Sequence, residues 1–261
     1  MDLEDRPIGF FDSGIGGISV LKEAVKILSN EDFVYFGDSK MAPYGVKTSE
    51  EVKRLTFNAV ELLLTKNIKA LVVACNTATS AAIIDLRKKY SKSMPIIGIE
   101  PALKPAVEFN RKGKIVIMAT TMTLSERKFS NLMKKYESRS SIEPLPCPGL
   151  VELIEQGKTE GEEVEGYLKG KLNSLKDEGI AAVVLGCTHY PFVKKSIRKI
   201  LNEDIPIIDG SKGTVEQLKR QLVKYHIKNN KNKEGKVTIF NSMDSEFIIQ
   251  LSYKLLKEES V

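Results

Sequence analysis

Cys75 and Cys187 each close a short β-branched run, Ala70-Leu71-Val72-Val73-Ala74-Cys75-Asn76-Thr77 and Ala182-Val183-Val184-Leu185-Gly186-Cys187-Thr188-His189, and they lie 112 positions apart. Each run reads as a buried strand with a thiol at its carboxyl end, followed by small hydroxyl or amide side chains. In an open parallel α/β sheet, ligands bind at the carboxyl ends of strands. Two thiols at matched places in two halves therefore predict one site built from both halves, with a sulfur on each side. Chemistry that needs an acid/base on each face of a carbon is stereochemical inversion.

The residues around each thiol fit that reading. Cys75 stands where a strand gives way to a helix, so its sulfur should face the positive end of the helix dipole, a setting that lowers a thiol pKa. Asn76 and Thr77 offer short donors and acceptors beside it. His189 follows Cys187 by two positions on a turn, where it could protonate a leaving base, tune the thiol or bind a carboxylate as imidazolium. Thr188 lies between them, and Pro191 suits a first helical position.

A third segment, Phe11-Asp12-Ser13-Gly14-Ile15-Gly16-Gly17, ends a strand at Asp12 and turns on glycines into a helix. Amide groups at such a turn favour an anion. The dinucleotide fingerprint fails, because its third glycine would fall at Ser19, and no phosphate-loop motif is nearby. A carboxylate or ammonium partner suits Asp12 and Ser13 better than a pyrophosphate. The loop Asp38-Ser39-Lys40-Met41-Ala42-Pro43-Tyr44-Gly45 looks built to present backbone groups. Thr120, Thr123 and Glu152 complete the candidates, each alone being ordinary cap or turn chemistry.

Positioning these residues requires alternating strands and helices. Strands are expected near 7–12, 32–37, 70–75, 95–99, 114–120, 142–146, 181–187, 205–208 and 236–240. Helices are expected near 17–29, 50–66, 78–90, 123–136, 162–178, 191–202, 213–228 and 244–258. The alternation argues for βαβ units and parallel sheets. The order strand, helix, cysteine strand, helix, Pro-Ile-Ile strand occurs twice, with Pro95-Ile96-Ile97 and Pro206-Ile207-Ile208 closing the two copies. This predicts an α/β fold of two pseudo-symmetric domains, the first made of 1–99 plus 206–261 and the second of 100–205.

Composition narrows the class. The chain has 261 residues, 42% hydrophobic, and no apolar run of membrane-spanning length. The segment Met1-Asp2-Leu3-Glu4-Asp5-Arg6 is acidic, the wrong chemistry for a targeting peptide, so a cytoplasmic location is expected. Three cysteines make no disulfide framework, and two histidines make no zinc-finger spacing, so no structural metal is expected. Cys147, in Leu145-Pro146-Cys147-Pro148-Gly149, reads as a small core residue. The net charge of +6 is spread along the chain and thickens only at Lys224–Lys233, which reads as a solvated connection with no clear nucleic-acid signature.

In their order and spacing, the Asp12 loop, Pro43-Tyr44-Gly45, Ala74-Cys75-Asn76-Thr77-Ala78, Gly98-Ile99-Glu100-Pro101, Thr120 to Thr123 and Leu185-Gly186-Cys187-Thr188-His189-Tyr190-Pro191 resemble bacterial glutamate racemases of the aspartate/glutamate racemase superfamily. The resemblance covers almost the whole chain. It implies two pseudo-symmetric α/β domains with the site in the cleft between them. It also implies racemisation of glutamate without a cofactor, supplying the D-isomer for peptidoglycan. Carried over by position, Cys75 and Cys187 are the acid/base thiols, with Asp12 and His189 supporting them. Asp12, Ser13, Tyr44, Gly45, Asn76, Thr77, Thr188 and His189 are substrate-binding positions, and Pro43, Thr120, Thr123 and Glu152 are expected just behind them. A homodimer is the expected assembly, as the commonest closed one. Three other readings stand beside this: an aspartate racemase of the same chemistry, a Cys-His hydrolase, and a non-catalytic binding protein.

Overall fold

The computed structural model describes residues 2–176 and 179–258. Its first sheet takes β1 (Ile8–Asp12), β2 (Phe33–Gly37), β3 (Ala70–Val73) and β4 (Ile96–Gly98), with α1 (Ile18–Ile27), α2 (Ser49–Leu64) and α3 (Asn76–Tyr90) between them. The second half follows with α4 (Leu103–Glu108), β5 (Lys114–Ala119), α5 (Thr121–Ser125), α6 (Arg127–Lys134), β6 (Ser141–Pro146), α7 (Leu150–Glu155), α8 (Glu162–Lys176), β7 (Ile180–Leu185), α9 (Lys194–Ile200) and β8 (Ile207–Asp209). Then α10 (Ser211–Lys224), β9 (Val237–Asn241) and α11 (Glu246–Lys257) lead back to the first.

Both sheets are wholly parallel, in the orders β4-β3-β1-β2-β9 and β6-β5-β7-β8. Read from the edge next to the cysteine strand, each runs Pro-Ile-Ile strand, cysteine strand, first strand, second strand; β9 is the first sheet's extra member. The central strands β1, β3 and β7 are buried along their whole length, as strands covered on both faces must be. One apolar core joins the halves: Ile8, Phe10 and Val72 of the first sheet, Val116 and Leu185 of the second, and α7, α8, α10 and α11 all contribute. Separate cores lie under α2 and α3 and under α4 and α6.

The layout differs from expectation in three places. The Pro-Ile-Ile strand expected to begin the return to the first domain pairs instead with the second sheet, Val183 opposite Ile207 and Leu185 opposite Asp209. The return is made one element later, by α10 packing on α1. A short helix, α4, forms where no element was expected; Pro105 falls in its first turn, where a missing N–H costs nothing. The helix expected over 123–136 is two, because Glu126 takes an extended conformation and starts α6 afresh. The expected end of α8 at 178, and Met1 and residues 259–261 of the first domain, lie outside the described residues.

At the amino ends of the first sheet's strands, Lys69 and Glu31 form a fully buried ion pair at 2.5 Å. The Lys69 ammonium also donates to the Glu4 carbonyl, and the other Glu31 oxygen accepts from the Asn229 amide. This pair clamps the base of the sheet, at the end remote from the cysteines.

Candidate active site

Cys75 lies two residues beyond the last residue of β3 and caps α3, its sulfur accepting the Ala78 amide at 3.4 Å. Its thiol donates to Ser13 Oγ at 3.4 Å. The helix-end placement agrees with the sequence, but its consequence does not: the thiol is pushed up to about 12. Burial is the main cause and the Asp12 charge the next, and together they outweigh the hydrogen bonds with Ser13 and Ala78. Cys75 is a protonated thiol in this closed form.

Cys187 lies two residues beyond the last residue of β7, the matched position in the second sheet. Its sulfur is 3.7 Å from His189 Nδ1, and the far nitrogen of that ring meets Glu155 Oε1 at 2.6 Å. Burial alone would strip the ring of its charge. The bonds to Cys187 and Glu155 overcome that and hold the imidazole pKa well above its ordinary range. Burial likewise opposes the Glu155 charge, but His189, the Ile15 amide at 2.7 Å and the Ser39 hydroxyl at 2.8 Å hold its carboxyl below the usual range.

Glu155 is the functional residue the sequence reading missed. Glu152, nominated from the same helix, is exposed, and its neighbour one turn on enters the site. The apolar spacing of α7 held the signal: Leu150, Val151 and Ile154 are buried, and Glu155 follows Val151 by four positions on that face. The anion expected at the glycine turn is thus this chain's own carboxylate. A Cβ on Gly14 would come within 1.8 Å of Glu155 Oε1, and one on Gly16 within 2.4 Å of His189 Nδ1.

Other cross-cleft bonds draw the halves together. Asp12 is fully buried; its Oδ1 accepts the Gly14 amide at 3.0 Å and its Oδ2 the Thr188 hydroxyl at 2.9 Å. Burial raises its carboxyl pKa against the opposing pull of His189, Thr188 and Gly14. Thr77 Oγ1 lies 3.1 Å from both Thr120 Oγ1 and Thr123 Oγ1. Pro43 follows a cis peptide bond and lines the cavity. Gly45 packs so closely on Thr120 that a Cβ would approach to 2.6 Å. The Tyr44 phenol does not face the cavity freely; it donates to Asp38 Oδ2 at 2.7 Å, leaving its backbone as the group to present.

These residues enclose a cavity of about 10 Å³ lined by Ser13, Cys75, Asn76, Thr77, Cys187 and His189 among others. That is room for about one water. Asn76 Oδ1 is buried without a hydrogen-bond partner and is the unmatched acceptor of the site. Cys147 is buried elsewhere, its thiol donating to the Leu145 carbonyl at 3.4 Å. Two thiols from two sheets thus meet one cavity, one beside a carboxylate and the other beside a cationic ring.

A sequence profile of the Asp/Glu/Hydantoin racemase family matches residues 14–218. The chain belongs to that family. It is 80% identical to the glutamate racemase of Clostridium kluyveri over 258 residues, 99% of this chain and all of that one. The crystal structure of Francisella tularensis glutamate racemase in complex with D-glutamate superposes with a TM-score of 0.81 at 29% identity, covering 98% of this chain and 95% of that one. Escherichia coli glutamate racemase, in complex with L-glutamate and the activator UDP-MurNAc-Ala, gives 0.84 at 26% identity, covering 97% and 94%. The racemase family has the two-domain α/β fold read from the repeat, and the chain is an enzyme of the racemase class. No helix among its described residues is long and apolar enough to cross a membrane.

Proposed function

We propose that the chain interconverts L- and D-glutamate without a cofactor, with Cys75 and Cys187 as acid/base groups on opposite faces of the α-carbon. The observation that carries this reading is that both thiols line one small cavity from opposite halves. In each turnover one sulfur, as thiolate, takes the α-proton, and the electron pair stays on the substrate as a carbanion. The other, as thiol, returns a proton to the opposite face. We assign Cys187, with the His189 ring 3.7 Å from its sulfur, as the base of the resting form, and Cys75, pushed up to about 12, as its acid. Asn76 Oδ1 is placed to accept from the substrate ammonium, and the first-turn amides of α3 and of the turn after Cys187 suit its carboxylates.

General acid–base groups contribute roughly 10²–10⁴-fold, so the rest of the barrier falls to fixed dipoles in a water-excluded cleft. A cavity of about 10 Å³ does not admit an amino acid. The halves must part to take substrate in and close again around it. The proposed setting is the cytoplasm, with D-glutamate drawn off for peptidoglycan, and the proposed assembly is a homodimer, which sedimentation velocity tests.

The deciding experiment supplies each enantiomer separately in D₂O and follows deuterium uptake and inversion in wild type, Cys75→Ser and Cys187→Ser. Wild type should invert both with solvent deuterium in the product, and each variant should lose inversion. Full racemisation by either variant sinks the two-thiol scheme. The family description also covers aspartate racemases, so inversion of aspartate in place of glutamate would keep the chemistry and change the substrate. Acyl transfer through Cys187 and His189 alone would give a covalent thioester, which mass spectrometry of quenched enzyme detects.

A further inference from the structure

A chain of hydrogen bonds runs from the edge of the first sheet to the second thiol. Asn241, the last residue of β9, donates from Nδ2 to Ser39 Oγ at 2.9 Å, and the Ser39 hydroxyl donates to Glu155 Oε2 at 2.8 Å. The other Glu155 oxygen takes the Ile15 amide and the far nitrogen of His189, whose near nitrogen faces Cys187. Ser39 and Ile15 belong to the first half, and Glu155, His189 and Cys187 to the second. Ser39 is buried and Glu155 nearly so, so neither donor is replaced by bulk water while the cleft is closed. Asn241 is further fixed because its Oδ1 accepts the Met243 amide.

We propose that Ser39, braced by Asn241, is a positioning residue for Cys187, acting across the cleft by aiming Glu155 at His189 and keeping it ionised. The inference rests on Cys187 being one of the two acid/base groups. Its consequence is that the donor set that aims Glu155 at His189 is complete only when the halves meet, so the second thiol becomes competent on closure. Asp12 and Tyr35 face Glu155 from β1 and β2, and His189 and Cys187 from the second half. The Asp12 carboxylate opposes the Glu155 charge, which makes the Ser39 donor matter more, while Tyr35, held well above its ordinary range by burial, stays a neutral phenol.

The test reads Glu155 through its partner. The chain has two histidines, and His226 is exposed, so protein labelled with ¹⁵N-histidine gives two resolvable rings. On acidification the His189 Nε2–H resonance is lost as Glu155 takes a proton. In Ser39→Ala this loss should occur roughly one pH unit higher, since a hydrogen bond to a charged group is worth about that much. The acid limb of kcat/KM should move by the same amount. Ser39→Thr, which keeps the hydroxyl, should restore both, and Asn241→Ala should shift both in the same direction by less. A folded Ser39→Ala with lower activity but an unmoved acid limb and an unmoved His189 signal overturns the proposal. So does a shift in Ser39→Thr as large as in Ser39→Ala. If Cys187→Ser instead keeps racemase activity, the two-thiol reading fails, while the His189 titration still judges the Ser39 contact by itself.

Discussion

The surroundings of Cys75 and Cys187 match in backbone and differ in charge. Each sulfur lies two residues past its strand, in sheets whose strand order repeats. Around Cys75 the nearby charge is the buried Asp12 carboxylate, and the thiol accepts one amide and donates to one hydroxyl. Around Cys187 it is an imidazole held cationic by Glu155. A repeated fold therefore supplies two equivalent positions, and the side chains that reach them differ in charge, which in the proposed mechanism makes one an acid and the other a base. The lesson is that pseudo-symmetry places the reacting groups, while the residues that break it assign their states.

The largest expected effect comes from removing either sulfur. Cys75→Ser and Cys187→Ser should each lower kcat by roughly 10²–10⁴-fold. Because a serine hydroxyl is a poorer base than a thiolate, single-turnover α-proton removal should fail from opposite enantiomers in the two variants. Failure from the same enantiomer would break the comparison. Next in size is Glu155→Gln, which leaves His189 without its anionic partner. We expect kcat/KM to fall about 10–100-fold, in the range of one to two charge-assisted hydrogen bonds, with Cys75 untouched. Steady-state kinetics together with the His189 ¹⁵N titration would show the imidazole pKa falling back toward its ordinary range.

The same contrast has a signature in stability against pH. His189 is raised in the folded state, so its contribution is full below the ordinary value of 6.5 and disappears as pH climbs through the raised one. Glu155 is lowered, so its contribution is full above 4.5 and is lost as pH falls through its folded value. Urea midpoints of wild type minus Glu155→Gln should therefore be greatest between about pH 4.5 and 6.5 and shrink on both sides. A flat difference would mean that the pair does not couple to folding. Gly14→Ala sharpens the point by steric means: its Cβ would displace the Glu155 carboxylate, and we expect about tenfold lower kcat/KM with a Tm loss of a few degrees by calorimetry. The smallest effect on activity belongs to Lys69→Met, at the other end of the sheet. It should cost about 3–5 kcal/mol of stability by leaving Glu31 buried and unpaired, while kcat of the folded fraction stays unchanged.

Much of this was legible in the chain. The two cysteine motifs and the Asp12 turn announce themselves because strand ends and helix starts have local grammar, whereas the threonines at 120 and 123 read only as cap or turn residues. The carboxylate partner of His189 did not announce itself, because Glu155 comes from a helix whose approach to His189 is purely tertiary; only its place on the apolar face marked it over Glu152. The Pro-Ile-Ile strand at 207 was recognised, yet its sheet was misjudged. By the repeat, it flanks the cysteine strand as β4 does, and that places it beside β7 in the second sheet. The direction of the Cys75 shift also escaped, since helix-end placement is local and burial beside Asp12 is not.

The unlike neighbours of the two sulfurs have a last consequence, set by the substrate pair. Mirror-image molecules have equal free energy in water, so no arrangement of charges in the cleft can make one hand accumulate over the other. At equilibrium forward and reverse kcat/KM must be identical, however lopsided the site. What Asp12, His189 and Glu155 are free to set is the split within that fixed ratio. A hand that is held longer must be turned over more slowly, and one released sooner must be turned over faster.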